Sequence, residues 1–223
     1  MHSSDPYNSE YSLIGAKMPR KSLFTDNHVF GAVGQLMAQH GSVTTSAVQE
    51  AAKLSTGSLY HRFGSREGLL AETWLFALQA FQPHFVKALE TPNNPVGEIA
   101  AVTPRFCRQH RREALILACC NYRQFINDDT PAAILQCIDE ANAKTFAAFN
   151  GYIKRQRFNP DACRMALITF PLSAVKQYLP EKDVPMEVDH IVAISAEAIL
   201  SETINNKIRF LDSDDYKGTQ IST

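Results

Sequence analysis

Between Thr44 and Arg66 the sequence opens, closes and reopens helical structure in quick succession, and this punctuation restricts the fold more than any other feature. Thr44 or Thr45 offers a side-chain oxygen to cap a short helix carrying Val48, Ala51 and Ala52, and Lys53-Leu54-Ser55 interrupts it. Residues 56–63 predict a further short helix, which Gly64-Ser65 ends, and Ser65 caps the helix that follows. Upstream, Val29, Phe30, Val33, Leu36 and Met37 repeat at helical spacing, predicting a helix over 25–40 with Thr25 or Asp26 as N-cap and Gly41 as stop. Three short helices, the last two joined by a tight turn, make a helix-turn-helix, whose third helix lies in the major groove of DNA.

Side-chain chemistry agrees with that arrangement. Val48, Ala52, Leu54, Leu59 and Phe63 can form a small internal core, which leaves Thr44, Thr45, Ser46, Thr56, Gly57, Ser58, Tyr60 and His61 outward or at helix starts. Small donors at helix N-termini suit phosphate oxygens and base edges. Six basic residues (Lys17, Arg20, Lys21, Lys53, Arg62 and Arg66) stand against Asp26 and Glu50 between positions 17 and 66, a local balance of +4 in a chain of net charge −1. Attraction to a polyanion is local, so this polarity supports the DNA reading.

Beyond the head, Leu70, Trp74, Ala77, Leu78, Phe81 and Phe85 form one stripe of a helix over 66–89, with Pro83 as a kink site. After the break at 91–95, helices are expected over 96–110, 113–127, 131–158, 160–179 and 185–208. No segment alternates with period two and no repeat stands out, so the class is all-α. Segments 163–179 and 188–204 carry more apolar surface than one small core needs, and the economical use of it is a dimer interface, with a buried helix pair in a monomer as the alternative.

At Leu54-Ser55-Thr56-Gly57-Ser58-Leu59-Tyr60-His61-Arg62-Phe63-Gly64-Ser65-Arg66-Glu67-Gly68-Leu69-Leu70 the sequence resembles the DNA-binding signature of the tetracycline-repressor family. The motif similarity covers roughly residues 25–74; the rest is similar only in helix number and order. The resemblance implies an N-terminal three-helix DNA-binding domain followed by a helical ligand-binding and dimerisation domain. The corresponding division is a flexible arm over 1–20, the helix-turn-helix over 21–65, the effector-binding and dimerisation body over 66–208 and a flexible tail over 209–223.

The same resemblance assigns roles by position. Ser55 would cap the recognition helix; Thr56, Gly57 and Ser58 would sit at its groove-facing start, with Gly57 letting the backbone approach DNA. Tyr60 and His61 would touch phosphate or base edges. Arg66, Thr44 and Thr45 would contact phosphates, and Arg20 and Lys21 resemble a basic arm. Two positions depart from the family pattern: Gln49 stands where a small residue is usual, and Lys53 where the turn usually has glycine. Gln49 would tilt the second helix, and Lys53 would take positive φ or supply an extra phosphate contact.

For the body, the resemblance implies a two-fold dimer reading palindromic double-stranded operator DNA and a small, mostly apolar effector whose binding shifts the fourth helix. The aromatic-rich candidates to line its pocket are Trp74, Phe81, Phe85, Phe106, Cys107, His110, Cys119, Tyr122 and Phe125, which are equally good core residues. A redox switch at Cys119-Cys120 is disfavoured, because neighbours on a helix diverge by about 100°. Five cysteines without a C-x-x-C pair argue against a disulfide framework or structural zinc, and no cofactor is expected. The first 20 residues lack a secretory signal's apolar stretch and no run suits a membrane span, so the cytoplasm is the expected location. A helical enzyme using His84 or His110 finds no motif in its favour, and the alternative of a DNA-binding scaffold with a ligand-free body stays open, with the aromatic content weighing mildly against it.

Overall fold

The computed structural model describes residues 23–201, all helices and turns with no strand among them. Helix α1 (Leu23–His40) precedes α2 (Thr45–Ala52) and α3 (Thr56–Phe63), and α4 (Arg66–Glu90) leads into the body. Because α1 is already helical at Leu23, neither Thr25 nor Asp26 is its N-cap; Asp26 turns inward and pairs with Arg62 of α3. Gly41 does end α1, at φ +71, its N–H bonded 2.8 Å from the Met37 carbonyl. The arm at 1–20 with Arg20 and Lys21, and the tail at 209–223, lie outside the described residues.

Helix α4 runs unbroken through Pro83. The body continues with α5 (Val96–Ala100), α6 (Val102–Gln109), α7 (Arg111–Ala114), a π-helical turn at Leu115–Cys119 and a 3₁₀ turn at Tyr122–Gln124. After α8 (Ala132–Gln156) come α9 (Pro160–Arg164), a second π turn at Met165–Thr169, α10 (Phe170–Val175) and α11 (Glu187–Ile199).

Three of the helices expected from sequence are therefore divided. The segment 96–110 breaks at Ala101, whose ψ of −9 departs from helical geometry. Segment 113–127 ends at Cys120, which is extended at φ −110 and ψ 162, and Asn121 then opens a fresh capped turn. In 160–179, Pro171 has no N–H to return to the preceding turn, and the chain widens so that the Phe170 N–H reaches the Met165 carbonyl.

Two apolar clusters hold the molecule together, and the first of them crosses the boundary expected at residue 65. The first gathers Val29, Val33, Val48, Leu59 and Phe63 of the head with Leu70, Trp74 and Ala77 of α4, and adds Ile116, Phe125 and Ile138 from the body. The second begins at Phe85 and joins Phe106, Phe149, Cys163, Leu167 and Val192. Helix α4 thus belongs to both cores. Polar ties reinforce the junction: Gln124 Nε2 donates to the Gly41 carbonyl at 2.7 Å, and Arg66 donates to the Val43 carbonyl at 3.3 and 3.0 Å.

Candidate nucleic-acid interface

Helices α2, α3 and α4 each begin on a hydroxyl side chain. Thr44, not Thr45, caps α2 by accepting the Ala47 N–H at 3.2 Å; Ser55 caps α3 by accepting the Ser58 N–H at 3.1 Å; Ser65 caps α4 by accepting the Gly68 N–H at 2.9 Å. Such caps satisfy donors that helix starts leave open, and they fix where each helix begins. Buried side chains then fix how α3 is rotated: Leu59 and Phe63 are sealed in the core, so the opposite face of α3 must point outward.

That face carries Thr56, Gly57, Ser58, Tyr60 and His61, all exposed, with Tyr60 at 44 %. Nothing stands within 4 Å of where a Cβ on Gly57 would lie, so the start of α3 is open to a close-approaching surface. Ser46 and Thr44 are exposed at the start of α2, and Thr45 is half-buried beside them. Arg66 is half-buried, and its guanidinium braces the Val43 carbonyl that precedes α2. It therefore ties the turn before α2 to the start of α4. Arg62, on which the sequence reading placed no role, is locked to buried Asp26 and so fastens α3 to α1.

Lys53 adopts the left-handed conformation at φ 54 and ψ 43, with its N–H bonded back toward Gln49 and Glu50. The turn between α2 and α3 needs this geometry, and here a residue with a Cβ supplies it. The cost of that conformation is roughly 1–2 kcal/mol for a non-glycine residue. Part of it is offset by the larger entropy glycine loses on folding. Lys53→Gly is accordingly expected to raise stability by about 0.5–1 kcal/mol in urea unfolding. Gln49, the other departure, is half-buried on the same helix.

The candidate pocket residues fall into two groups instead of lining one chamber. Trp74 meets Tyr122 edge-on at 5.6 Å and Phe125 at 5.4 Å, inside the head-side core. Phe81 stacks on Phe85 at 5.8 Å and meets Phe106 edge-on at 5.1 Å, and Phe106 stacks on His110 at 4.8 Å, in the body core with Cys107 and Cys119 packed nearby. Sequence spacing could not separate the groups, because both contribute to the same stripe of α4. His84 and His110 face one another at 5.5 Å between ring centroids. Burial, then the charges of His110 and Lys87, lower the His84 pKa and favour its neutral form.

Thiol chemistry is suppressed by the same burial. The thiols of Cys107, Cys120 and Cys163 are pushed up to about 12, and that of Cys119 is raised, in each case chiefly by desolvation. At pH 8 these remain protonated and poorly nucleophilic. A thiol reagent such as Ellman's is expected to label exposed Cys137 promptly, half-buried Cys119 and Cys120 slowly, and buried Cys107 and Cys163 only on unfolding.

Comparison with known proteins agrees with this geometry. Residues 35–73, which span the end of α1 through the first turns of α4, match the family described as bacterial regulatory proteins, tetR family. The fold is similar to that of the TetR family transcriptional regulator PfmR from Thermus thermophilus, with a TM-score of 0.57 at 16 % identity over 83 % of this chain and 97 % of that one. A TetR family transcription regulator from Marinobacter aquaeolei gives a TM-score of 0.59 at 12 % identity, covering 82 % and 98 % of the two chains. The fatty acid degradation regulator FadR from Bacillus halodurans gives 0.55 at 14 % identity, covering 79 % and 98 %. No curated protein matches the chain by sequence. Residues 35–73 thus carry the sequence pattern of the tetR family of bacterial regulatory proteins, and the chain shares its fold with solved regulators of that family.

Proposed function

We propose that this protein is a one-component transcriptional repressor that grips a palindromic operator as a homodimer and lets go when a small, mostly apolar effector binds. The observation that carries the reading is the outward face of α3, where capped helix starts present Thr56, Gly57, Ser58, Tyr60 and His61 while Leu59 and Phe63 hold the helix from behind. Arg20, Lys21, Thr44, Thr45, Ser46, Lys53, Ser55 and Arg66 complete the proposed DNA surface, in which phosphate contacts set register and α3 reads bases. Residues 21–65 act as the head and 66–208 as the sensing and dimerising body, within the cytoplasm.

The dimer is supported by apolar side chains that the described residues of their own chain leave uncovered. Met165 and Ile168 on the second π turn, and Ile191 and Ile194 on α11, are all exposed, and the two elements pack side by side. A pair of such faces, related by a two-fold axis, would bury both and set two heads on successive major grooves. The aromatic groups along α4 support an apolar effector, since α4 connects both cores and any ligand entering them displaces it.

The test is binding of the purified protein to the intergenic DNA upstream of its own gene. Affinity is expected to fall log-linearly with rising salt, as counterion release requires. An absence of salt-sensitive affinity would overturn the reading, and a monomeric mass at micromolar concentration would remove the dimer from it.

A further inference from the structure

A groove of about 380 Å³ lies between α1, α2 and α7, and no residue of α3 lines it. Its apolar surface is nearly flat, because Gly31, Ala32 and Ala51 offer little beyond backbone and Cβ, with Leu36 beside them. His28, Gln35 and Gln39 add polar groups from the same face of α1, and all three are exposed. The remaining residue is Arg112 of α7. No carboxylate is among the described residues that line the groove.

Arg112 differs from the arginines around it. Arg105 bridges Glu98 and Asp189, Arg108 bonds to Asp189 and the Pro185 carbonyl, and Arg111 bonds to the Lys182 and Pro180 carbonyls and to Asp183. Arg112 has no hydrogen-bond or ion-pair partner among the described residues. Its stem is nonetheless held in place: a Cβ on Gly31 would lie 3.0 Å from Arg112 Cδ, so the aliphatic part rests directly on α1. One helical turn on, a Cβ on Gly34 would lie 2.6 Å from Ile116 Cγ1, so the chain just after α7 is docked on α1 as closely. The result is a positioned guanidinium with no counter-ion among the described residues, beside a small apolar surface.

We infer that this groove binds a small planar carboxylate, with the carboxylate forked on Arg112 and its apolar body over Gly31, Ala32 and Ala51. A guanidinium presents parallel N–H donors that match a carboxylate's two oxygens, and the volume suits a small ring. The site stands apart from the DNA surface and from the aromatic clusters, and it sits on the joint where head meets body.

Calorimetric titration of the full-length protein with benzoate tests this, with benzamide as the uncharged match. Arg112→Gln removes the charge and Ala51→Leu fills the flat surface; both residues are exposed, so unfolding curves like those of the parent are expected. Benzoate is expected to bind in the millimolar range or better, and Arg112→Gln or exchange for benzamide to weaken it by at least about tenfold. Ala51→Leu is expected to abolish binding. Absence of binding at millimolar benzoate would overturn the inference, as would Arg112→Gln titrating like the parent, which would place benzoate among the aromatic residues instead and leave the repressor reading standing. Binding that survives Ala51→Leu would likewise overturn it, reducing the groove to an arginine that attracts any anion.

Discussion

Replacing Asp26 with alanine is expected to destabilise the protein by about 3 kcal/mol or more in urea unfolding, the cost of stranding one member of a buried ion pair. Asp26 is almost wholly buried, with 7 % of its side chain exposed, whereas Arg62 retains 28 %. Solvent reaching Arg62 tempers the loss, which places the expectation at the lower end of the usual range. The effect is expected to reach the proposed DNA binding, because this pair joins α1 to α3 and so holds α3 at its angle. A second variant separates the pair's own worth from the cost of breaking it. Removing both charges together, as Asp26→Leu with Arg62→Met, strands neither charge of the pair and is expected to recover most of the stability. A double variant no more stable than Asp26→Ala would show that the pair itself holds the head together.

Gly68→Ala is expected to be the other severe change, at about 3 kcal/mol, the upper end for inserting a methyl group into packed structure. A Cβ there would lie 2.3 Å from the Phe63 carbonyl oxygen, a backbone atom that cannot swing aside like a side chain. To admit it, the end of α3 must move away from the start of α4. Operator affinity in a gel-shift titration is therefore expected to fall further than urea stability alone accounts for, since α3 is displaced even in folded molecules. Gly57→Ala provides the contrast: its Cβ would meet nothing within 4 Å among the described residues, so stability is expected to hold or to rise by about 0.5–1 kcal/mol, as for alanine replacing a helical glycine, and any loss to appear only with DNA bound.

The head was legible in sequence because its determinants are local. Hydroxyl residues at Thr44, Ser55 and Ser65 mark three helix starts, and the left-handed turn expected at Lys53 is present at φ 54. The body was less legible because its helices are broken by contacts distant in sequence. Nothing in 113–127 announces the stop at Cys120. The π turn preceding it is seated by Ile116 packing against Gly34 of α1, more than eighty positions earlier. Pro171 was a visible signal for the second π turn, and a prolonged apolar run concealed it. The Asp26–Arg62 pair had no local signature, because neither residue lies within a helix turn of the other. Long-range geometry likewise divided the aromatic candidates between two cores and put an unpaired arginine over the groove on α1.

The way the head-side core borrows Ile116, Phe125 and Ile138 from the body constrains how this protein can be recombined. A chimera cut at residue 65 and transplanted onto a foreign body would expose Val29, Val33 and Leu59 to whatever side chains that body offers. The natural seam for grafting runs through α4 between Ala77 and Phe85, and it must carry the three borrowed residues along. The head is therefore not a detachable cassette in this chain: an engineer who wants to transplant it has to move part of the body with it.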